Sequence, residues 1–201
     1  MLNITEEKIL ELLFNDLTKN YSIHELSTTL KVPYPQAHRN VQLLVKRKLI
    51  VSERIGKAKI ISLRKDTVKK EYITAELNRR DAALKKYATL RRVMADLEKI
   101  PPLQYICVLF GSYAKGAPKP NSDVDVLFII PKEYDYGKFE MMTQHAFVTG
   151  YVDVNVGLEE SLHEMWSNPL KLNVANEVLK AHLVLRGAEG FLDAWRKHHV
   201  G

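Results

Sequence analysis

The chain of 201 residues has one cysteine, no long apolar run, and neither glycine nor proline between residues 66 and 99. A single cysteine excludes a disulfide within the chain, and Cys107 stands inside an apolar run that predicts a core position. No run approaches the roughly 20 apolar residues of a membrane span, and the first residues are not typical of a signal peptide. We therefore expect a cytoplasmic protein with no membrane partner.

The net charge of +6 is unevenly spread along a chain that is long enough for one large or two small domains. Residues 1–65 carry 12 Lys and Arg against 6 Asp and Glu, residues 66–99 carry 9 against 6, and residues 100–201 carry 9 against 12. A basic first segment and an acidic last segment indicate that any nucleic acid is bound by the N-terminal part.

The first 65 residues have the apolar spacing of three helices followed by two strands. The pattern predicts, in order, a helix over 4–19, a helix opened by the capping box of Ser22 and Glu25, a helix from about Pro35 to Lys48, and a hairpin of strands 49–54 and 59–63 around Gly56. This order resembles a winged helix-turn-helix domain, which we assign to residues 1–65.

That resemblance implies binding of double-stranded DNA, with the third helix in the major groove and the hairpin on the phosphate backbone. The residues then expected to contact DNA are Tyr34, Gln36, His38, Arg39 and Gln42 on the helix and Arg54, Lys57 and Lys59 on the hairpin. The positive charge favours this interpretation. The same fold also serves in protein contacts, so that alternative stays open.

Residues 66–99 are predicted to form one long connecting helix, because apolar residues keep helical spacing from Ile73 to Leu97. Such a helix packs on its own domains or pairs with its copy in a homodimer, and the sequence leaves both open. Pro101 and Pro102 end the helix, and residues 100–201 form the next predicted domain.

Two aspartates, Asp123 and Asp125, stand one residue apart between two apolar runs that read as buried strands. Side chains at i and i+2 of a strand point to the same face. Carboxylates placed together there repel each other unless a cation lies between them. Paired oxygen ligands of this kind suit Mg²⁺, which commonly takes one or two carboxylates together with substrate phosphates.

The run from Phe110 to Gly116, followed by Ser122-Asp123-Val124-Asp125, resembles the signature of the polymerase β-like nucleotidyltransferases, and most closely the minimal nucleotidyltransferases of prokaryotes. The resemblance implies an α+β fold whose mixed sheet is flanked by helices. It also implies roles for the motif: Gly111, Ser112, Lys115 and Ser122 bind the nucleotide phosphates, and Asp123 and Asp125 bind metal. A third metal-binding and catalytic carboxylate is expected on a neighbouring strand, and Asp153 in the alternating run 151–156 is the best candidate.

The expected reaction is transfer of a nucleoside monophosphate from ATP or another NTP to a macromolecular hydroxyl, with one or two Mg²⁺ ions. The resemblance further implies an antitoxin-type enzyme that modifies a HEPN-type partner and binds DNA through its first domain. A different function class stays open, in which the chain is a DNA-binding transcriptional regulator whose second domain senses nucleotide without turnover. An RNA acceptor is a third hypothesis.

Overall fold

The structure is a computed structural model, and it describes residues 1–56, 58–101, 103–147 and 150–200. The N-terminal part consists of α1 (Ile4–Asn15), β1 (Tyr21–Ser22), α2 (Ile23–Leu30), α3 (Tyr34–Lys46), β2 (Ile50–Ile55) and β3 (Ala58–Leu63). The three strands pair antiparallel in the order β1-β3-β2. Three helices closed by a two-stranded wing form a winged helix, as predicted.

Local sequence signals account for where these helices begin. Asn3 and Glu6 form a capping box at α1, and Ser22 and Glu25 form the predicted capping box at α2. Pro35 lies in the first turn of α3, where its missing N–H costs no helical hydrogen bond. The apolar stripes of the three helices then meet in a fully buried core.

The connecting segment contains two helices, α4 (Lys70–Lys86) and α5 (Ala88–Leu97), and not the single helix that was predicted. Tyr87 breaks the helix with extended backbone angles, φ −117° and ψ 113°. Two contacts stabilise this break, one of them from outside the segment: the Tyr87 hydroxyl donates to the carbonyl of Gly116 (2.9 Å). The Arg91 guanidinium donates to the carbonyl of Leu84 (2.7 Å), which satisfies an unpaired group at the end of α4.

The C-terminal part is a four-stranded mixed sheet with helices on both faces. Its elements are β4 (Ile106–Phe110), α6 (Gly111–Ala114), β5 (Val124–Ile130), α7 (Tyr136–Ala146), β6 (Val152–Leu158), α8 (Glu159–Trp166), α9 (Val174–Lys180), β7 (Leu183–Arg186) and α10 (Ala188–Val200). The strand order is β6-β5-β4-β7; β4 runs antiparallel to β5 and β7, and β5 runs parallel to β6.

The two faces of this sheet are covered by different parts of the chain. On one face α5 and α7 pack on alternate residues of β4 and β5. On the other face α8, α9 and α10 join a core that continues into α4 and the winged helix. The predicted domain limits at residues 65 and 99 stay a prediction, and the packing adds that α5 is buried with the sheet.

A buried charge cluster lies where α4 meets the sheet. The guanidinium of Arg79 donates to the carboxylate of Glu76 (2.5 Å), to the carbonyl of His182 (2.6 Å) and to the side chain of Asn15 (3.2 Å). Glu76 and His182 are fully buried. Because these groups come from α1, α4 and the residue before β7, the cluster links the winged helix to the sheet. Within the described residues, no helix has the length and apolar character needed to cross a membrane.

Candidate functional site

Asp125 and Asp153 lie side by side at one end of the sheet. Each is the second residue of its strand, Asp125 in β5 and Asp153 in β6, and the parallel register of these strands pairs the two directly. Paired residues of neighbouring strands point to the same face, with backbones about 4.8 Å apart. The structure therefore brings together two of the three predicted carboxylates.

Asp123 lies one residue before β5 and is exposed to solvent. The segment that carries it is tied to the start of β6, because the Val124 N–H donates to the carbonyl of Tyr151 (2.9 Å). Asp123 is close enough to Asp125 for their charges to interact. Asp123 therefore lies at the solvent-exposed edge of the Asp125–Asp153 pair.

The environment of Asp125 disfavours its charged form. Partial burial raises the pKa of Asp125, and the negative charges of Asp153 and Asp123 raise it further. Lys115 opposes this shift by lowering the pKa of the same carboxyl. A cation held by these carboxylates would relieve their repulsion.

The donor chemistry fits Mg²⁺ together with a substrate. Among the residues that the structure describes, no three His, Cys, Asp or Glu side chains converge closely enough to hold a metal ion by themselves. Mg²⁺ commonly takes one or two carboxylates and completes its shell with substrate phosphates and water. Phosphate oxygens of a nucleotide would therefore have to complete a site at Asp123, Asp125 and Asp153.

Gly111 faces the carboxylate of Asp125 at close range. A Cβ atom at this position would lie 1.9 Å from Oδ2 of Asp125, and the backbone has a φ of +69°, which disfavours other residues. The sequence suggested that Gly111 allows a phosphate to approach the backbone. The structure gives a second reason for glycine, which is that the Asp125 side chain needs this space.

The other predicted nucleotide-binding residues lie in or beside the turn after β4. Ser112 is in the one-turn helix α6, and its carbonyl accepts from the Ala117 N–H (3.1 Å). Ser122 closes a turn, because its hydroxyl accepts from the Lys119 N–H (2.8 Å) and its own N–H donates to the Lys119 carbonyl (3.0 Å). These hydrogen bonds give Ser122 a structural role in addition to the predicted role in nucleotide binding.

Two residues near the site, Glu177 and Tyr87, were not predicted from the sequence. Glu177 of α9 forms an ion pair with Lys115, with Nζ and Oε2 3.6 Å apart. Tyr87 holds the Gly116 carbonyl and stacks edge-on against the Tyr113 ring, with centroids 5.5 Å apart. Neither position belongs to a motif, and both reach the site only through the fold, so no sequence signal indicated them.

The predicted DNA-binding residues do not all share one face of α3. Arg39 and Gln42 lie on the side opposite the buried residues of the helix, and both are exposed. Gln36 lies on a flank, where its amide donates to the Thr5 hydroxyl of α1 (3.0 Å). Tyr34 and His38 lie on the other flank with their rings 6.2 Å apart.

On the wing, Arg54 and Lys59 form a cross-strand pair and are both exposed. The Arg54 guanidinium also donates to the carbonyl of Gly56 at the turn (3.2 Å). Lys57 lies outside the described residues. Lys46, which was not predicted, is an exposed cation on the same side of α3 as Arg39. These placements leave a basic surface on α3 and the wing.

Residues 88–176 match the model of a protein family described as nucleotidyltransferase domain. The match begins at the first residue of α5, ends within α9, and includes Asp123, Asp125 and Asp153. It covers less than half of the chain and supports a transferase of the nucleotidyl type. No curated protein matches the chain.

Solved structures similar to the chain include two named proteins and one complex. Reduced HlyU from Vibrio cholerae N16961 is 20% identical over 37% of this chain and 73% of its own, with a TM-score of 0.32. The adhesin competence repressor AdcR from Streptococcus pyogenes is 20% identical over 44% and 65%, with a TM-score of 0.35. A toxin-antitoxin crystallised with AMP-PNP is 22% identical over 54% and 82%, with a TM-score of 0.38. All three TM-scores are below 0.5, so the fold assignment rests on the topology of the chain itself.

Proposed function

We propose that the chain is a Mg²⁺-dependent nucleotidyltransferase that transfers a nucleoside monophosphate, in the first instance AMP from ATP, to a hydroxyl of a macromolecule. The observation that carries the proposal is the register that sets Asp125 beside Asp153, with Asp123 at the rim and Gly111 against Asp125. The family match over this segment supports the same reaction class.

In the proposed reaction the acceptor hydroxyl attacks the α-phosphorus of ATP. A new oxygen–phosphorus bond forms, the bond from the α-phosphorus to the bridging oxygen breaks, and pyrophosphate leaves. Asp153 takes the proton of the attacking hydroxyl on its carboxylate. Asp123 and Asp125 would hold Mg²⁺, which supplies charge neutralisation at the phosphates when bound.

The residues after β4 would bind and orient the triphosphate. Lys115 offers a flexible ammonium group with three donors. Gly111 and Ser112 lie at the start of the one-turn helix α6, where Gly111 faces the Asp125 carboxylate. The proposed acceptor is a HEPN-type protein, as the resemblance of the motif implies, and an RNA hydroxyl is the rival.

The test is transfer of label from [α-³²P]ATP, with Mg²⁺, to macromolecules of a cell extract treated with nuclease or protease. Label that survives nuclease and is lost with protease identifies a protein acceptor. The double variant Asp123→Ala, Asp125→Ala should transfer no label, whereas Asp66→Asn, which changes an exposed aspartate paired with Arg64, should transfer as the parent does. Equal labelling by the double variant would refute the assignment of these carboxylates.

We further propose that the winged helix binds double-stranded DNA through Arg39, Gln42 and the wing. Exposure of these residues and the +6 charge of residues 1–65 support this. Replacing Arg39 by alanine should weaken binding to duplex DNA in fluorescence anisotropy, and the dependence on salt should become less steep. Unchanged affinity would favour the alternative role in protein contacts. A homodimer remains part of this proposal, because winged helices commonly meet DNA in pairs.

The rival function, a DNA-binding regulator that senses nucleotide without turnover, gains support from one observation. α4 begins on the winged helix, where the buried Tyr72 hydroxyl donates to the carbonyl of Arg64 (3.1 Å), and it ends at Tyr87 beside Gly116. ATP that changes DNA affinity while no label is transferred to any acceptor would favour this function.

A further inference from the structure

Glu177 places a carboxylate within reach of the lysine that the proposed nucleotide site uses. Its Oε2 lies 3.6 Å from Nζ of Lys115, and its Oε1 lies 3.0 Å from Nζ of Lys180 on the same helix. Lys115 is 53% exposed and Glu177 31% exposed. Glu177 therefore bridges two ammonium groups at the rim of the site, on the face of the sheet that also carries Asp125.

Lys115 lies within the electrostatic range of two acidic groups at once. Its charge lowers the pKa of Asp125, and it also contributes to the lowered pKa of Glu177, after the larger effect of Lys180. A lysine side chain has a flexible four-carbon stem, so its ammonium group can move from one anion to another nearby. Because the ion pair is largely exposed, it is also weak.

The second partner of Glu177 makes release of Lys115 easier. When Lys115 moves to another anion, Glu177 keeps its contact with Lys180. The carboxylate is then not left without a counter-charge. Lys115 can therefore exchange Glu177 for phosphate oxygens without leaving an unpaired anion behind.

We propose that Glu177 is a positioning residue that competes with the triphosphate of the nucleotide for the ammonium group of Lys115. This inference rests on the proposed nucleotide site. Glu177 lowers the affinity for ATP, and it acts through Lys115, without touching the reacting atoms. Glu177→Gln keeps the shape of the side chain and removes the competing charge.

The expected result is tighter nucleotide binding in the variant. Glu177→Gln should bind ATP with Mg²⁺ about two- to fivefold more tightly than the parent chain, on the order of what an exposed ion pair contributes. In steady-state transfer, KM for ATP should fall by the same factor while kcat stays within about twofold. Glu177→Asp, which keeps the charge, should remain close to the parent.

Isothermal titration calorimetry with ATP and Mg²⁺ tests this in a double-mutant cycle of Glu177→Gln and Lys115→Ala. In the Lys115→Ala background the gain from Glu177→Gln should vanish. A gain that persists there would show a general charge effect and overturn the proposal. Glu160→Gln is the matched control, since Glu160 on α8 forms a similar exposed ion pair with Lys132 (3.2 Å). The affinity of this variant for ATP should equal that of the parent.

The remaining outcomes separate this inference from the proposed function. If the parent binds ATP and Glu177→Gln binds it equally or more weakly, competition is refuted while the nucleotide site stands. If neither protein binds ATP while circular dichroism shows both folded, the nucleotide site and the competition are both refuted.

Discussion

Replacing Gly111 by alanine tests whether the site needs the close approach of the backbone to Asp125. Gly111 and Gly116 have nearly the same φ, +69° and +72°, so an alanine at either position carries the left-handed strain of about 1–2 kcal/mol. The two positions differ in space. A Cβ at Gly111 would lie 1.9 Å from Oδ2 of Asp125, whereas at Gly116 it would meet no atom within 4 Å.

The steric contact sets the expected size of the effect on activity. Restoring a separation of 3.0 Å requires the carboxylate or the backbone to move by about 1.1 Å. A displacement of about 1 Å at a reacting centre lowers rates about 100-fold. Gly111→Ala should therefore lose about 100-fold in nucleotidyl transfer, and Gly116→Ala less than about tenfold.

Two assays are needed, because the strain and the displacement act on different quantities. Urea unfolding should show a loss of about 1–2 kcal/mol from this strain in both alanine variants, with a further loss in Gly111→Ala from the clash with Asp125. Transfer of label from [α-³²P]ATP should separate them. Equal activity of Gly111→Ala and Gly116→Ala would refute the argument that Asp125 needs the space beside Gly111.

Three further variants probe charge and contact around the site. Asp125→Asn should raise the free energy of unfolding by about 1 kcal/mol at pH 7 without Mg²⁺, since it removes repulsion from Asp153 and Asp123 that solvent partly screens. Thermal unfolding should show that gain fading as the pH falls through the raised pKa of Asp125, where the parent loses the same charge. Arg79→Met should cost about 3–5 kcal/mol in urea unfolding at pH 7, because it leaves Glu76 buried without its ion-pair partner. Burial raises the pKa of Glu76, but Arg79 and His182 more than offset this and hold it below the usual value of a glutamate. The difference between parent and variant should therefore shrink as the pH falls towards that lowered pKa, because Glu76 is protonated earlier in the variant. Tyr87→Phe should cost up to about 1 kcal/mol in the same assay and raise KM for ATP, since the Gly116 carbonyl loses its nearer donor and keeps the Lys86 ammonium at 3.5 Å.

Much of the fold could be predicted because its signals are local. The capping box of Ser22 and Glu25, the proline in the first turn of α3 and the alternation in β6 each act within a few residues, and these three elements formed where expected. The first helix was expected over 4–19 and ends earlier, at Asn15. The break at Tyr87 could not be predicted in this way. It depends on Gly116, about 30 residues further along the chain, and on Arg91 folding back over the end of α4.

The same distinction applies to the candidate site, where residues of a continuous motif could be predicted and residues brought together by the fold could not. Asp123, Asp125 and Gly111 belong to one continuous motif, so the residue types alone indicated them. The direct pairing of Asp125 with Asp153 depends on the register of β5 and β6, and sequence spacing does not determine the register of a parallel pair. Glu177 was missed because α9 returns to the site only after the chain has passed through β6 and α8.

The charges around the site bear on which form of the nucleotide can bind. Four carboxylates, Asp123, Asp125, Asp153 and Glu177, lie at or beside the site. Lys115 pairs with Glu177 (3.6 Å), and its charge lowers the pKa of Asp125. A triphosphate brings further negative charge, so bare ATP would meet repulsion that Lys115 alone does not offset. A divalent cation that arrives with the nucleotide offsets part of this repulsion, because the carboxylates nearest the cation attract it. Under the proposed function, we therefore expect the metal–nucleotide complex to bind in preference to free nucleotide, and the affinity for ATP to depend steeply on Mg²⁺.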